Sequence, residues 1–158
     1  MKKIENLPLN KTRVIDSIKV KDNGSFVAKF SLEPNLYTLS FGTNKTLQLL
    51  INTGQHIKIN GDYLKEISAS GSSDTDLWRS YEDFRLASLK RLVHSVRNTV
   101  KEKKNQSAPE NEIIELRALE VENYQKHLDE LLDFVKVKMG TSLAIYPTST
   151  RWNTNNMP

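Results

Sequence analysis

Residues 1–72 read as β, with runs of alternating apolar and polar residues, and the period changes at Ser73. In Ser25-Phe26-Val27-Ala28-Lys29-Phe30, the residues Phe26, Ala28 and Phe30 fall on one face of an extended chain, and Phe26 and Phe30 are expected in the core. Val14-Ile15-Asp16-Ser17-Ile18-Lys19-Val20 is a second strand-like run. The two runs flank Asn23-Gly24, a pair that supplies the positive φ of a tight hairpin. Pro34-Asn35 breaks the run, and Tyr37, Leu39 and Phe41 then alternate with Thr38 and Ser40. Gly42-Thr43-Asn44-Lys45 reads as a turn, Leu47, Leu49 and Ile51 share a face, and Asn52-Thr53-Gly54-Gln55 turns again. Ile57 and Ile59 make a short strand ending at Asn60-Gly61-Asp62, and a last strand is expected from Leu64 to Ser68. Turns this frequent predict an antiparallel β-sandwich-like half over residues 1–72.

From Ser73 onward the apolar residues Leu77, Tyr81, Phe84, Leu89, Leu92, Val93, Val96 and Val100 recur at helical spacing, without Gly or Pro between 74 and 108. This predicts an amphipathic helix from Asp74 to Lys103, capped by Ser73 or Asp74, with Asp76 at its positive end and Lys101, Lys103 and Lys104 at its negative end. Asn105-Gln106-Ser107-Ala108-Pro109 is a short connector, with Pro109 in the first turn of a second helix. Its stripe is Ile113, Leu116, Leu119 or Glu120, Tyr124, Leu128, Leu131 and Val135, and Gly140 suits its C-terminal stop. A shorter helix or turn is expected over Ser142 to Tyr146, stopped by Pro147. The fold expectation is therefore α+β: a β-sheet region over 1–72, a long antiparallel helical hairpin packed on it over 73–152, and a truncated tail over 153–158.

Charge sharpens the helical part. Residues 77–104 carry eight Lys or Arg against three Asp or Glu, and residues 109–135 carry two against eight. A basic helix joined by a short connector to an acidic one predicts antiparallel packing with paired flanks. A stripe of Lys90, His94, Arg97, Lys101 and Lys104 is the alternative, a face for phosphate or anionic lipid. No aromatic residue interleaves with it, so nucleic-acid stacking is not expected.

Candidate chemistry is sparse. His56, His94 and His127 lack metal-ligand spacing and read as surface or boundary residues. Glu115, Glu120, Glu122, Asp129, Glu130 and Asp133 read as the wet face of a helix, with no Glu-x-x-His pair among them. Asn60-Gly61-Asp62 and Ser70-Gly71-Ser72-Ser73 fit no phosphate-binding pattern, and no GxSxG elbow exists. Trp78 and Trp152 read as packing residues. No catalytic, cofactor-binding or metal-binding residue is nominated.

The 158 residues contain no cysteine, which excludes a thiolate nucleophile, a disulfide and a CxxC redox centre within the chain. Hydrophobic residues make up 37% of it, enough to bury a core. The net charge of +4 does not by itself imply a nucleic-acid partner, because the charge is arranged as opposing helices. No apolar run is long enough to span a bilayer. The start, with two lysines and no apolar stretch behind them, does not read as a signal peptide.

The order of features resembles one family, the domain of unknown function preceding the thioredoxin-like module in TlpA-like and ResA-like envelope thiol-disulfide oxidoreductases of Gram-negative bacteria. The matching pieces are Ile15-Asp16-Ser17, Asp22-Asn23-Gly24-Ser25-Phe26, Pro34-Asn35-Leu36-Tyr37, Leu49-Leu50-Ile51, Gly54, Ile57-Lys58-Ile59-Asn60-Gly61-Asp62 and Ser70-Gly71-Ser72. Two long helices and Ser142-Leu143-Ala144-Ile145-Tyr146 complete the pattern over residues 10–152. The resemblance implies a non-catalytic accessory domain in the periplasm or cell envelope, with the catalytic Cys-x-x-Cys module downstream. Its expected partners are that module or a second copy docked through the helical hairpin. A cytoplasmic location is the alternative compartment. The missing leader and the tail from Trp152 to Pro158 then read as trimmed ends. The rival reading is a free-standing envelope sandwich that binds glycan or a partner protein through Tyr37, Tyr63 or Trp152.

Overall fold

The computed structural model describes residues 1–6, 11–62, 65–141 and 143, and the chain divides into two compact units, 1–78 with 140–158, and 79–139. The fold is α+β, with antiparallel sheets in the N-terminal half followed by helices.

The first unit contains strands β1 (Lys2–Asn6), β2 (Lys11–Val14), β3 (Asn35–Phe41), β4 (Lys45–Ile51), β5 (Lys58–Gly61) and β6 (Ile67–Ser70). The first four form one sheet in the order β2-β1-β3-β4, and β5 pairs with β6 in a second. All pairings are antiparallel. The β3–β4 hairpin is the best-specified element. Its register runs from Asn35↔Ile51 to Phe41↔Lys45 around the predicted turn, with Gly42 at φ 59°. Leu39 and Leu49 bury one face and share a core cluster with Ala69 of β6, against which Ile18, Ile57 and Ile59 pack. On the opposite face the cross-strand pair Leu36 and Leu50 is also buried. This double-sided burial exceeds the single apolar face predicted from alternation, because the start of the first helix covers that end of the hairpin.

That helix, α1 (Ser73–Leu89), is capped by the residue before it. The Thr75 N–H donates to Ser72 Oγ at 3.1 Å, while Ser72 Oγ and Thr75 Oγ1 both reach Leu50 O, at 3.3 and 3.1 Å. The cap is Ser72, one position before the expected Ser73 or Asp74, because only Ser72 sits where the Leu50 carbonyl and the Thr75 N–H converge. Gln55 Nε2 instead donates to Asp74 Oδ2 at 2.8 Å. Trp78 is buried as a packing residue, with its Nε1 donating to Gln48 Oε1 at 3.1 Å.

Two expectations need correction in this unit. The Asn23-Gly24 turn forms, but residues 15–34 join no strand ladder, so Phe26 and Phe30 are half-buried rather than core. The last strand begins at Ile67, not Leu64, because Asp62 N–H donates to Glu66 O at 2.9 Å and closes a turn there. Strands β1 and β2 lack apolar alternation altogether. Their ladder is supported by Glu5, which pairs with Arg13 across the strands, and by Lys3, which pairs with Glu33.

The second unit holds the rest of α1, a π-turn (Lys90–His94), α2 (Ser95–Asn105) and α3 (Glu110–Val137). Arg91 pairs with Glu130, Arg97 with Glu120 and Lys103 with Glu112. As the number on one side rises, the number on the other falls, so the two chain directions are opposed and the basic and acidic flanks meet as the charge pattern predicts. α2 stops in a Schellman motif: Ala108 N–H donates to Lys103 O at 3.0 Å and Ser107 N–H to Lys104 O at 3.1 Å. Ser107 occupies the left-handed position, at φ 53°, that glycine usually fills. Pro109 lies just ahead of α3 rather than within its first turn. The helix expected over Ser142–Tyr146 and the 153–158 tail lie outside the described residues, apart from Leu143, which is buried.

Three substitutions test these ends. Ser107→Gly is expected to stabilise the protein by about 1 kcal/mol, by removing the left-handed penalty of a side-chain-bearing residue. Ser72→Ala is expected to destabilise by about 1 kcal/mol through the lost cap, whereas Ser73→Ala changes little. Urea denaturation of the three variants checks both, and equal effects at Ser72 and Ser73 would overturn the assigned cap.

Candidate functional site

The most unusual local geometry lies where α1 passes into α2. Ser95 N–H donates to Lys90 O, five residues back, and so creates the π-turn. Two carbonyls of this turn accept from side chains: Ser95 Oγ donates to Arg91 O at 2.6 Å, and Asn123 Nδ2 of α3 donates to Leu92 O at 3.0 Å. An amide inserted into the helix ladder from a neighbouring helix is a sufficient cause of the irregularity.

One turn earlier, Ser88 and His127 face each other. Both are buried, at 2% and 3% exposure, and His127 Nδ1 lies 2.9 Å from Ser88 Oγ. Ser88 Oγ also reaches Glu130 Oε2 at 2.5 Å, and Glu130 takes Arg91 Nη2 at 2.6 and 2.7 Å. Proton counting orders the chain. The Ser88 hydrogen bond, then Arg91 and the His127 charge, hold the Glu130 carboxyl below the usual carboxylate range against the opposing effect of burial. An ionised Glu130 only accepts, so the single Ser88 proton goes to it. Ser88 must then accept from His127, whose Nδ1 carries a hydrogen.

This polarity is the reverse of an activated serine. In a nucleophilic dyad the imidazole takes the serine proton, whereas here the imidazole donates to the serine and a carboxylate holds the serine's hydrogen. Burial closes the hydroxyl to any substrate. The arrangement therefore fixes two helices against each other, and no buried side-chain polar atom among the described residues lacks a partner.

The other sequence candidates are dispersed. His56 and His94 are exposed on separate elements, and His127 is buried, so its reading as a surface or boundary residue is corrected. The cause is seam spacing: Ile113, Leu116, Glu120, Asn123, His127, Leu131 and Phe134 recur at three and four, so the seam takes Asn123 and His127 while Leu119 and Tyr124 remain exposed. That spacing was the available signal for Asn123 and His127. Of the carboxylates, Glu120 pairs with Arg97, Glu122 with Lys126 and Asp133 with Lys136, while Asp129 accepts from Gln125 and Glu115 is exposed. Of the basic stripe, Arg97 is committed to Glu120, and Lys90, His94, Lys101 and Lys104 are exposed. Among the described residues no cluster of His, Asp and Glu is placed to hold a metal ion, and no helix is long and apolar enough to cross a membrane. Tyr37 is buried, its hydroxyl donating to Glu33 O at 2.8 Å and its pKa raised by burial, so it is not a surface aromatic; Tyr63 and Trp152 lie outside the described residues.

The surface of the helical unit offers a shallow open groove of about 410 Å³ lined by Phe84, Glu130, Asp133, Phe134, Val137 and Lys138. Its floor is the stacked pair Phe84 and Phe134, with ring centres 5.0 Å apart. Leu86, Ile114, Val121, Leu132 and Val137 are exposed on the same unit. No protein-family model, curated protein or solved structure matches the chain.

Glu130 sets a pH dependence whose sign is fixed. Its folded pKa lies below the ordinary value, so its stabilising contribution is present above that ordinary value, near 4.5, and is lost as pH falls through the folded pKa. The Glu130→Gln variant is expected to be less stable than the natural chain at neutral pH, with the gap narrowing in acid. Denaturation series at several pH values check this, and a gap independent of pH would refute it.

Proposed function

We propose that this chain is a non-catalytic accessory module. In this reading it serves an envelope thiol-disulfide oxidoreductase, holding a thioredoxin-like catalytic module or a partner protein, and acts in the periplasm. The observation that carries the proposal is a division of roles within the helical unit. Ser88 and His127 are buried and committed to each other and to the half-buried Glu130, while Leu86, Ile114, Val121, Leu132 and Val137 are left outside. Exposed apolar residues gathered on a small helical unit mark a contact surface. The order of sequence motifs supplies the family in which that contact is made. The rival glycan-binding reading is weakened by the burial of Tyr37, one of the three aromatics it needs.

The test mixes the purified chain with a separately purified thioredoxin-like module of the TlpA or ResA kind. Alone, the chain is expected to give no insulin reduction above a protein-free blank, since thiol exchange needs a sulfur nucleophile. Together, calorimetric binding and an altered exchange rate are expected, and Val121→Lys with Leu132→Lys is expected to abolish both. Activity of the chain alone, or a catalytic module indifferent to it, would overturn the proposal. Light scattering on the same samples decides whether a second copy occupies that surface.

A further inference from the structure

Helix α3 carries two lines of side chains at helical spacing. One runs through Asn123 and His127 and lies against the π-turn and α1 within the unit. The other is Ile114, Ala118, Val121, Gln125, Leu128 and Leu132, set apart by alternating steps of four and three. That is the 3.5-residue period of a coiled-coil seam. A strict seven-residue repeat drifts by about 20° per heptad on a straight helix. Ile114, Val121, Leu128 and Val135 show the drift as a gradient of burial. Ile114 and Val121 are 58% and 62% exposed, Leu128 is half-buried, and Val135 is 4% exposed, where the line runs into the intramolecular seam.

The period calls for a helix as the covering element, and the polar member of the line calls for an identical one. Gln125 Nε2 donates to Asp129 Oδ1 at 3.0 Å, which leaves its carbonyl oxygen and second amide hydrogen open among the described residues. An apolar surface would bury both unpaired, whereas a second Gln125 in register supplies a donor and an acceptor. The flanks match in the same arrangement. With Ile114, Val121 and Leu128 at d and Ala118, Gln125 and Leu132 at a, Arg117 and Tyr124 fall at g, and Glu122 and Asp129 fall at e. In a parallel pair each g residue faces the e residue five places on. Arg117 then meets Glu122 of the second copy, and the Tyr124 hydroxyl meets Asp129, a donor against a carboxylate both times. The like-charged contact of Glu110 with Glu115 falls at the exposed start of the helix, where salt screens it. An antiparallel pair sets e against e instead, and gathers Glu115, Glu122 and Asp129 of both copies on one flank.

We propose that two copies of this chain pair through α3 as a parallel, in-register coiled coil with Gln125 against Gln125. The pairing rests on the accessory reading's assignment of Ile114, Val121 and Leu132 as contact residues, and adds the occupant and its orientation. Six seam positions make a small contact, so the pair is expected to dissociate on dilution.

The chain has no cysteine, so a single introduced thiol reports on its own position. Ile114→Cys and Leu132→Cys replace exposed side chains and leave the core intact. Under mild oxidation each is expected to cross-link to its own kind several-fold faster than Leu119→Cys, an exposed position on another face of α3. An antiparallel pair on the same seam sets Ile114 against Leu132. A mixed disulfide between the two variants, formed in preference to either self-disulfide, would therefore overturn the proposal. Sedimentation of the natural chain is expected to show a dimer that grows with concentration and is lost in Val121→Lys. A strict monomer at high micromolar concentration, or cross-linking at Leu119→Cys as fast as at the seam, would overturn the proposal too. All of these measurements use the chain alone. A monomer that still binds the thioredoxin-like module removes the pairing and keeps the accessory reading, and a dimer indifferent to that module does the reverse.

Discussion

A polar group taken out of water must be paired, and that requirement fixes both ends of α1. At its start Ser72 is buried and serves the Thr75 N–H and the Leu50 carbonyl at once. Near its end Ser88 is buried and serves Glu130 and His127 at once. Each hydroxyl is a small group with one donor, set where two acceptor or donor demands converge. Removing either would leave a partner dehydrated and unpaired, a cost that apolar packing around it does not offset. The helix is anchored at both ends by stereospecific polar contacts, and the apolar seams fill in between.

The same reasoning ranks the interactions of the helical unit. The cross-helix pair Arg97 with Glu120 has a half-exposed arginine, and Lys103 with Glu112 is exposed on both sides. Surface pairs of that kind contribute roughly 0–1 kcal/mol each and are screened by salt. They agree with the antiparallel arrangement without enforcing it. The chain from the exposed Arg91 through the half-buried Glu130 to the buried Ser88 and His127 is different in kind, because a shift of one turn would strand a buried imidazole and hydroxyl. Asn123 adds a second registration point at the π-turn through Leu92 O. Hydrophobic seams tolerate sliding, and these polar contacts do not, so the register is set by the minority of polar residues.

Elements with a local cause were legible in the sequence. The β3–β4 hairpin has an apolar face and a glycine turn, and the connector at Asn105–Pro109 ends α2 where the chain must reverse. Elements decided by partners were not. β1 reads Lys-Lys-Ile-Glu-Asn and has no apolar face to recognise, since its place in the sheet is supported by ion pairs to Glu33 and Arg13. The π-turn was invisible because Lys90–His94 has ordinary helix formers, and the cause sits 31 residues away at Asn123. His127 was misread because Tyr124 and Leu128 gave an attractive apolar stripe that the three-and-four seam spacing does not use. The candidate site therefore arose from side chains that sequence patterning treats as noise within a hydrophobic repeat.

The division between arginine and lysine separates the committed cations of the helical unit from the solvated ones. Arg85, Arg91 and Arg97 each hold a carboxylate within the unit, and Arg85 and Arg91 engage both of its oxygens. Lys90 of the π-turn and Lys101 and Lys104 of α2 are left exposed. Lysine is strongly hydrated, loses much side-chain freedom when ordered, and is depleted from the buried centres of interfaces. A face built from uncommitted lysines is thus suited to remain in water. The exposed Ile114, Val121 and Leu132 of α3 have no such hydration to lose, and covering them returns the apolar contribution of each side chain. Apolar burial therefore favours Ile114, Val121 and Leu132 of α3 over the exposed lysines for the contact proposed above.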